Sequence, residues 1–123
     1  MAYPSELKTG GTIMNGASLP ASGNVASDIV NIERAKTIGL DIEFDETSSL
    51  LGTLYIEVCN DINRATPNWV PVTLNTGATS VAVSGDLNDF YNLSNLGANY
   101  LRVLYAPTSG TGTGYVVAHV KTD

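Results

Sequence analysis

Between residues 37 and 44 the chain alternates strictly. Ile38, Leu40, Ile42 and Phe44 are apolar, and Gly39, Asp41 and Glu43 stand between them. A period of two marks a strand with one face on a core and the other in solvent. Residues 53–58 repeat it, with Leu54, Ile56 and Val58 on one side and Tyr55 and Glu57 on the other. Ahead of these, Ile29, Val30 and Ile32 predict a short strand. After them a polar loop, 60–68, leads to Trp69, Val70 and Val72, a strand that Pro71 assigns to a sheet edge. Residues 79–83 predict another strand, and Phe90, Tyr91 and Leu93 a short strand or bend. No ten-residue window carries an apolar stripe at helical spacing.

The C-terminal stretch 99–122, NYLRVLYAPTSGTGTGYVVAHVKT, reads as a β-hairpin. Residues 100–105 and 115–120 are rich in β-branched and aromatic side chains, and the Pro, Ser, Thr and Gly of 107–114 supply a turn between them. Leu101, Val103 and Tyr105 share one face of the first strand; Val116, Ala118 and Val120 share the inward face of the second. Residues 1–27 are dominated by Gly, Ala, Ser, Pro and Asn, and only 12–14 resemble a strand, so they predict an extended N-terminal arm. The expected architecture is all-β: a single-domain antiparallel β-sandwich or jelly roll of about eight short strands over 28–123, with the arm at 1–27. Removal of the arm at Ser27 is expected to leave that sandwich folded.

Composition narrows the function. At 123 residues the chain is sized for one core, and only 15% of residues are charged, against a usual ~25%. Gly, Ser, Thr and Asn take up the difference, leaving a large uncharged surface for neighbours. Twelve acidic residues against six basic ones give a net charge of −6, which repels phosphate backbones, so no nucleic acid is expected as a partner. The lone Cys59 excludes an internal disulfide and fits a reducing cytosol; with no second Cys and His119 far along the chain, it reads as a structural thiol. The N-terminus lacks the basic and apolar regions of a signal peptide and is expected to be kept. No apolar run approaches the ~20 residues of a membrane span, so no membrane partner is expected.

Nucleophilic catalysis needs a base beside the nucleophile, and the chain offers only His119, which alternation turns outward. Gly110-Thr111-Gly112-Thr113-Gly114 has no helix after it and does not match a phosphate-cradling loop. Asp41, Glu43 and Asp45 share a strand face at ~7 Å intervals; with Glu46 they read as a solvated face, or one paired with Lys36 and Arg102. Asp86, Asn88 and Asp89 lack calcium-loop spacing and read as an Asx turn. The chain is expected to be no enzyme, with no cofactor and no metal site. Trp69 with Tyr55, Tyr100 and Tyr115 offers three roles: core filling, a sugar-stacking platform, or a protein interface.

Cys59-Asn60-Asp61 at a strand end, Asn68-Trp69-Val70 after a polar loop, Asn99-Tyr100-Leu101-Arg102-Val103, then Gly110–Gly114 and a last strand ending in Lys121 together resemble the small β-sandwich structural proteins of tailed bacteriophages. The likeness runs from about Gly52 to Thr122. It implies a virion component assembled in the host cytoplasm, foremost a head decoration or cement protein. Its implied partners are the major capsid protein or other virion proteins, and it is expected to form a homo-oligomer. A tail, baseplate or fibre-attachment protein is the nearest alternative, and a carbohydrate-binding module the next. The expected interface anchors are Trp69, Arg64, Tyr100 and Arg102.

Overall fold

The computed structural model describes residues 7–94 and 96–122. Nine strands run through it: β1 (Leu7–Lys8), β2 (Gly11–Leu19), β3 (Val25–Ala26), β4 (Ile29–Asn31), β5 (Thr37–Cys59), β6 (Val70–Pro71), β7 (Val81–Ser84), β8 (Leu87–Ser94) and β9 (Tyr100–Lys121). The fold is all-β, with no helix among the described residues.

Two long strands organise the molecule. β5 and β9 are antiparallel partners from Thr37 opposite Lys121 to Cys59 opposite Tyr100. The first half of β5 has β8 on its other side, and the last half of β9 has β2. The order β2-β9-β5-β8 is layer A. The second half of β5 pairs with β7 and β6, and the first half of β9 with β3 and β4. That is layer B, to which β1 adds a parallel pairing on β4. One hydrogen-bonded sheet folded over on itself makes both layers of the sandwich.

The alternation seen in the sequence decides what lies between the layers. Ile38, Leu40, Ile42, Phe44, Val116 and Ala118 come from layer A, and Leu54, Ile56, Leu101, Val103 and Tyr105 from layer B, all buried. Phe44 and Tyr105 meet across the layers edge to face, with ring centroids 5.5 Å apart at 85°, the arrangement ring quadrupoles favour. Each such aliphatic or aromatic side chain contributes about 1.5–3 kcal/mol on burial, so this double row is the main source of stability.

The fold-over lies at residues 45–51 of β5 and 109–112 of β9. There the register slips between Glu46, Ser48 and Leu51, so β5 carries extra residues against a shorter stretch of β9 and both strands bend. Ser49 takes a φ of 42° and Gly110 one of 77°. A Cβ on Gly110 would collide with the carbonyl oxygens of Ser48 and Ser49, so glycine alone fits. Two carboxylates serve backbone groups at the bend. Glu46 Oε1 accepts from the Leu50 N–H at 2.9 Å, and Asp86 Oδ1 accepts from the Glu46 N–H at 2.7 Å. Asp86 thus supports β5 instead of closing a local Asx turn.

Three expectations are corrected here. The hairpin of 99–122 does not form: residues 100–121 are one strand, and both halves take β5 as partner. Their Ser/Thr/Gly centre is a corner crossed by one strand, where Gly112 lets Asp45 O approach to within 2.5 Å of where a Cβ would stand. Likewise 37–44 and 53–58 are two halves of β5. The third concerns the arm, whose first six residues lie outside the described residues. From Gly11 to Leu19 it is a strand of layer A, paired with β9 and burying Ile13, Met14 and Leu19. Register slips between Thr12 and Met14 and between Asn15 and Ala17 break the alternation and hide it in the sequence. Ser27, also read as arm, is buried; its Oγ accepts from the Val103 N–H at 2.9 Å and its own N–H donates to Val103 O at 2.8 Å. It thereby splices β3 to β4.

Candidate functional site

Residues of β5 and β9 that point away from the core build the outer face of layer B. Register sets their rows: Tyr100 beside Cys59, Arg102 beside Glu57, Leu104 beside Tyr55. At the first row the face is roofed by a second small apolar cluster, Ile29, Cys59 and Ile62, against which Trp69 and Tyr100 pack. Ile62 belongs to the polar loop after β5, which folds back over the sheet. Pro71 lies opposite Glu57 on β6, so Trp69, just before that strand, reaches the same end of the sheet.

The centre of the face is a stack. Arg102 Nε donates to Glu57 Oε1 at 2.8 Å, and the Arg102 guanidinium carbon lies 4.4 Å from the centre of the Trp69 ring. Glu57 is 8% exposed, and a carboxylate that buried requires a charged partner. The guanidinium is held from both sides, by a charge-assisted hydrogen bond and by the indole face. Tyr55 and Leu104 are half-buried in the next row. The result is a rigid patch of aromatic, aliphatic and guanidinium surface in which the anchoring side chains are already immobilised.

Three of the four expected anchors are therefore brought together: Trp69, Tyr100 and Arg102. Arg64 stands apart, exposed on the loop, where it lines a cleft of about 260 Å³ with Asn60, Asp61, Asn68 and Val70. Arg102 takes Glu57 as its partner, not the carboxylates at 41–46. Glu57 was not singled out by sequence reasoning; its signal is visible only once β5 is known to lie beside β9. Cys59 is buried with its Sγ 3.4 Å from Asp61 O, in keeping with a structural thiol.

Tyr115 lies on the opposite side of the sandwich, on the outer face of layer A, so the four aromatics do not form one platform. Asp41, Glu43 and Asp45 share that face with it and are exposed. Repulsion from Asp45 foremost, then desolvation and Asp41, raises the Glu43 carboxyl above its ordinary range. His119 is exposed, as its alternation requires, with its ring 6.5 Å from that of Phe90. No three His, Cys, Asp or Glu side chains among the described residues converge as metal ligands.

No protein-family model and no curated protein matches this sequence. Among solved structures, the chain is similar to the SPBc2 prophage-derived protein YomS, at 10% identity and a TM-score of 0.47 over 87% of this chain and 96% of that one. It is similar to a chitosan-binding module from a chitosanase/glucanase of Paenibacillus sp. IK-5, at 18% identity and a TM-score of 0.42 over 82% of this chain and 72% of the module. A third likeness is to the enzymatically active domain of tailspike protein 4 of bacteriophage CBA120, at 15% identity and a TM-score of 0.47, over 92% of this chain but 19% of the tailspike. At these values none of the three assigns the chain a function.

Proposed function

We propose that this protein is a non-catalytic structural component of a bacteriophage virion, and that it decorates the head by binding the major capsid protein lattice through the outer face of layer B. The sequence resemblance between Gly52 and Thr122 supplies the class. The observation that carries the site is the Glu57–Arg102–Trp69 stack, a pre-ordered patch of the residue types in which binding energy concentrates. Anchors that are immobile before contact lose little freedom on binding. A protein that binds the assembled lattice better than free subunits stabilises the shell by linkage, and many copies on one lattice multiply the effect.

The same stack argues against a sugar platform at this site. One face of the indole lies under the guanidinium, and the partly buried ring also packs against the cluster of Ile29, Cys59 and Ile62, which withdraws that face from a pyranose.

The test is the amount of this polypeptide relative to the major capsid protein in purified heads and tails, with the wild type and Leu104→Glu, which alters the patch at a half-exposed position. Stoichiometric wild-type protein on heads, and occupancy reduced about tenfold by Leu104→Glu, a loss of ~1.4 kcal/mol, are expected. Absence from heads, or unchanged occupancy by the variant with its fold intact by circular dichroism, overturns the reading.

A further inference from the structure

We propose that β8 is a dimerisation edge, pairing antiparallel with β8 of a second copy about a two-fold axis at Phe90. The inference is independent of the function proposed above and concerns the other layer.

Layer A has two edges, and they are built differently. β2 carries two register slips and a left-handed Gly16 at φ 68°, irregularities that spoil a strand as a template for further pairing. β8 has β5 on one side over eight consecutive residues without a slip, and no strand on the other side among the described residues. It contains no Pro, Lys or Arg, the residues that ordinarily protect an edge. The contrast marks β8 as the edge left open.

The residues of β8 read nearly the same in both directions: Leu87-Asn88-Asp89-Phe90-Tyr91-Asn92-Leu93. In an antiparallel pair centred on Phe90, Leu87 faces Leu93, Asn88 faces Asn92, Asp89 faces Tyr91, and Phe90 faces its own copy. A two-fold interface requires such self-complementarity. The faces agree too, because Leu93 is buried and Leu87 packs against the core, whereas Asn88, Phe90 and Asn92 are exposed.

Charge selects this register. Asp89 is the only charged residue of the strand, and Tyr91 Oη already donates to its carboxylate at 2.9 Å. Pairing about Phe90 sets each Asp89 beside a tyrosine of the other copy. Pairing about Asp89 instead would set two carboxylates directly opposite each other, which is unfavourable. The acidic row of β5 is no obstacle: three strand spacings, about 14 Å, separate the two β5 strands, beyond the ~8 Å screening length at physiological salt.

The apolar gain comes from Leu87 and not from the Phe90 ring, which leans back over β5 toward His119, away from the open edge. Phe90 marks the axis. It is 60% exposed, more than any other large hydrophobic residue described, and its ring lies against Gly39, where a Cβ would come within 2.7 Å of Cζ. Beside β8 runs a cleft of about 280 Å³ lined in part by Leu74, Val81, Tyr91 and Leu93, and Leu87 of the second copy, opposite Leu93, is the side chain placed to enter it.

Sedimentation velocity of the full chain over a concentration series should show a monomer–dimer equilibrium, and Phe90→Lys, which opposes two ammonium groups, should leave a folded monomer. Register is read by cross-linking. Phe90→Cys should join two copies through a short bis-maleimide, whereas Asn88→Cys, whose counterpart lies several residues away, should not; Cys59 is buried and stays out of the reaction. Both substitutions are at exposed positions, so folding survives them. A wild type that stays monomeric at every concentration, a Phe90→Lys variant that dimerises as before, or cross-linking by Asn88→Cys as readily as by Phe90→Cys each overturns the proposal.

Discussion

The Tyr105 ring lies over Gly52, diagonally across the β5–β9 ladder. A Cβ built on Gly52 would stand 2.5 Å from Tyr105 Oη and 2.6 Å from its ring, and the hydroxyl donates to the adjacent Leu51 O at 3.0 Å. The glycine is the socket for a fully buried aromatic that reaches across the sandwich to Phe44. Gly52→Ala overpacks this socket and should cost about 1–3 kcal/mol, whereas Tyr105→Phe, which keeps the ring and loses the hydrogen bond, should cost about 1 kcal/mol. Urea unfolding of the two variants separates them.

The corner predicts a sharper contrast between glycines. Gly110 and Gly77 both have left-handed backbones, at φ 77° and 86°. Nothing lies within 4 Å of a Cβ on Gly77, whereas on Gly110 it meets two carbonyl oxygens. Gly77→Ala should lose only the conformational cost, about 1–2 kcal/mol, and Gly110→Ala markedly more. Equal losses in thermal unfolding would show that the bend does not depend on close backbone approach.

The Arg102–Glu57 pair predicts strong non-additivity. Arg102→Ala leaves a nearly buried carboxylate alone and should destabilise by about 3–5 kcal/mol. Adding Glu57→Gln to that variant should recover part of the loss. A double-mutant cycle measured in urea reads the coupling, and a sum of independent effects would mean the pair is solvated.

Stability should fall at alkaline pH. Burial foremost, then the hydrogen bond to Asp89 and its charge, pushes Tyr91 up to about 12, and burial also raises Tyr105. An unfolded tyrosine ionises near ~10. The folded state therefore holds its protons longer, so this stabilisation is fully present below about pH 10 and is lost as pH rises to about 12. Melting temperatures over that range should decline, and less steeply in Tyr91→Phe.

Removal of residues 1–19 should unfold the protein. It strips Ile13, Met14 and Leu19 from the core and uncovers β9. At about 1.5–3 kcal/mol for each buried side chain, the loss is comparable to the whole stability of a typical domain, ~5–15 kcal/mol. A cooperative unfolding transition retained by the truncated chain would contradict this.

Facing was legible in the sequence, and pairing was not. Alternation at 37–44, 53–58 and 101–105 correctly separated core-facing from outward-facing positions, because side-chain direction is a local property of extended backbone, although Glu57 on the outward side is itself buried. The partner of a strand is a long-range property. The two halves of β9 are neighbours in sequence and so suggested a hairpin, yet both pair with a strand that begins at Thr37. Glycines 110, 112 and 114 carried the ambiguity, since a turn and a corner ask for the same lack of side chain. The candidate site followed the same division: Trp69, Tyr100 and Arg102 could be chosen by residue type, but Glu57, which holds Arg102, needed the register.

Because β5 and β9 run through both layers as one ladder, neither layer can melt or assemble without the other. During synthesis, Thr37 to Cys59 leave the ribosome long before Tyr100 to Lys121 exist to pair with them, so the central ladder closes only after β9 has emerged. Topology of this kind folds slowly, and the nascent chain must keep one edge of the long strand β5 unpaired until β9 emerges.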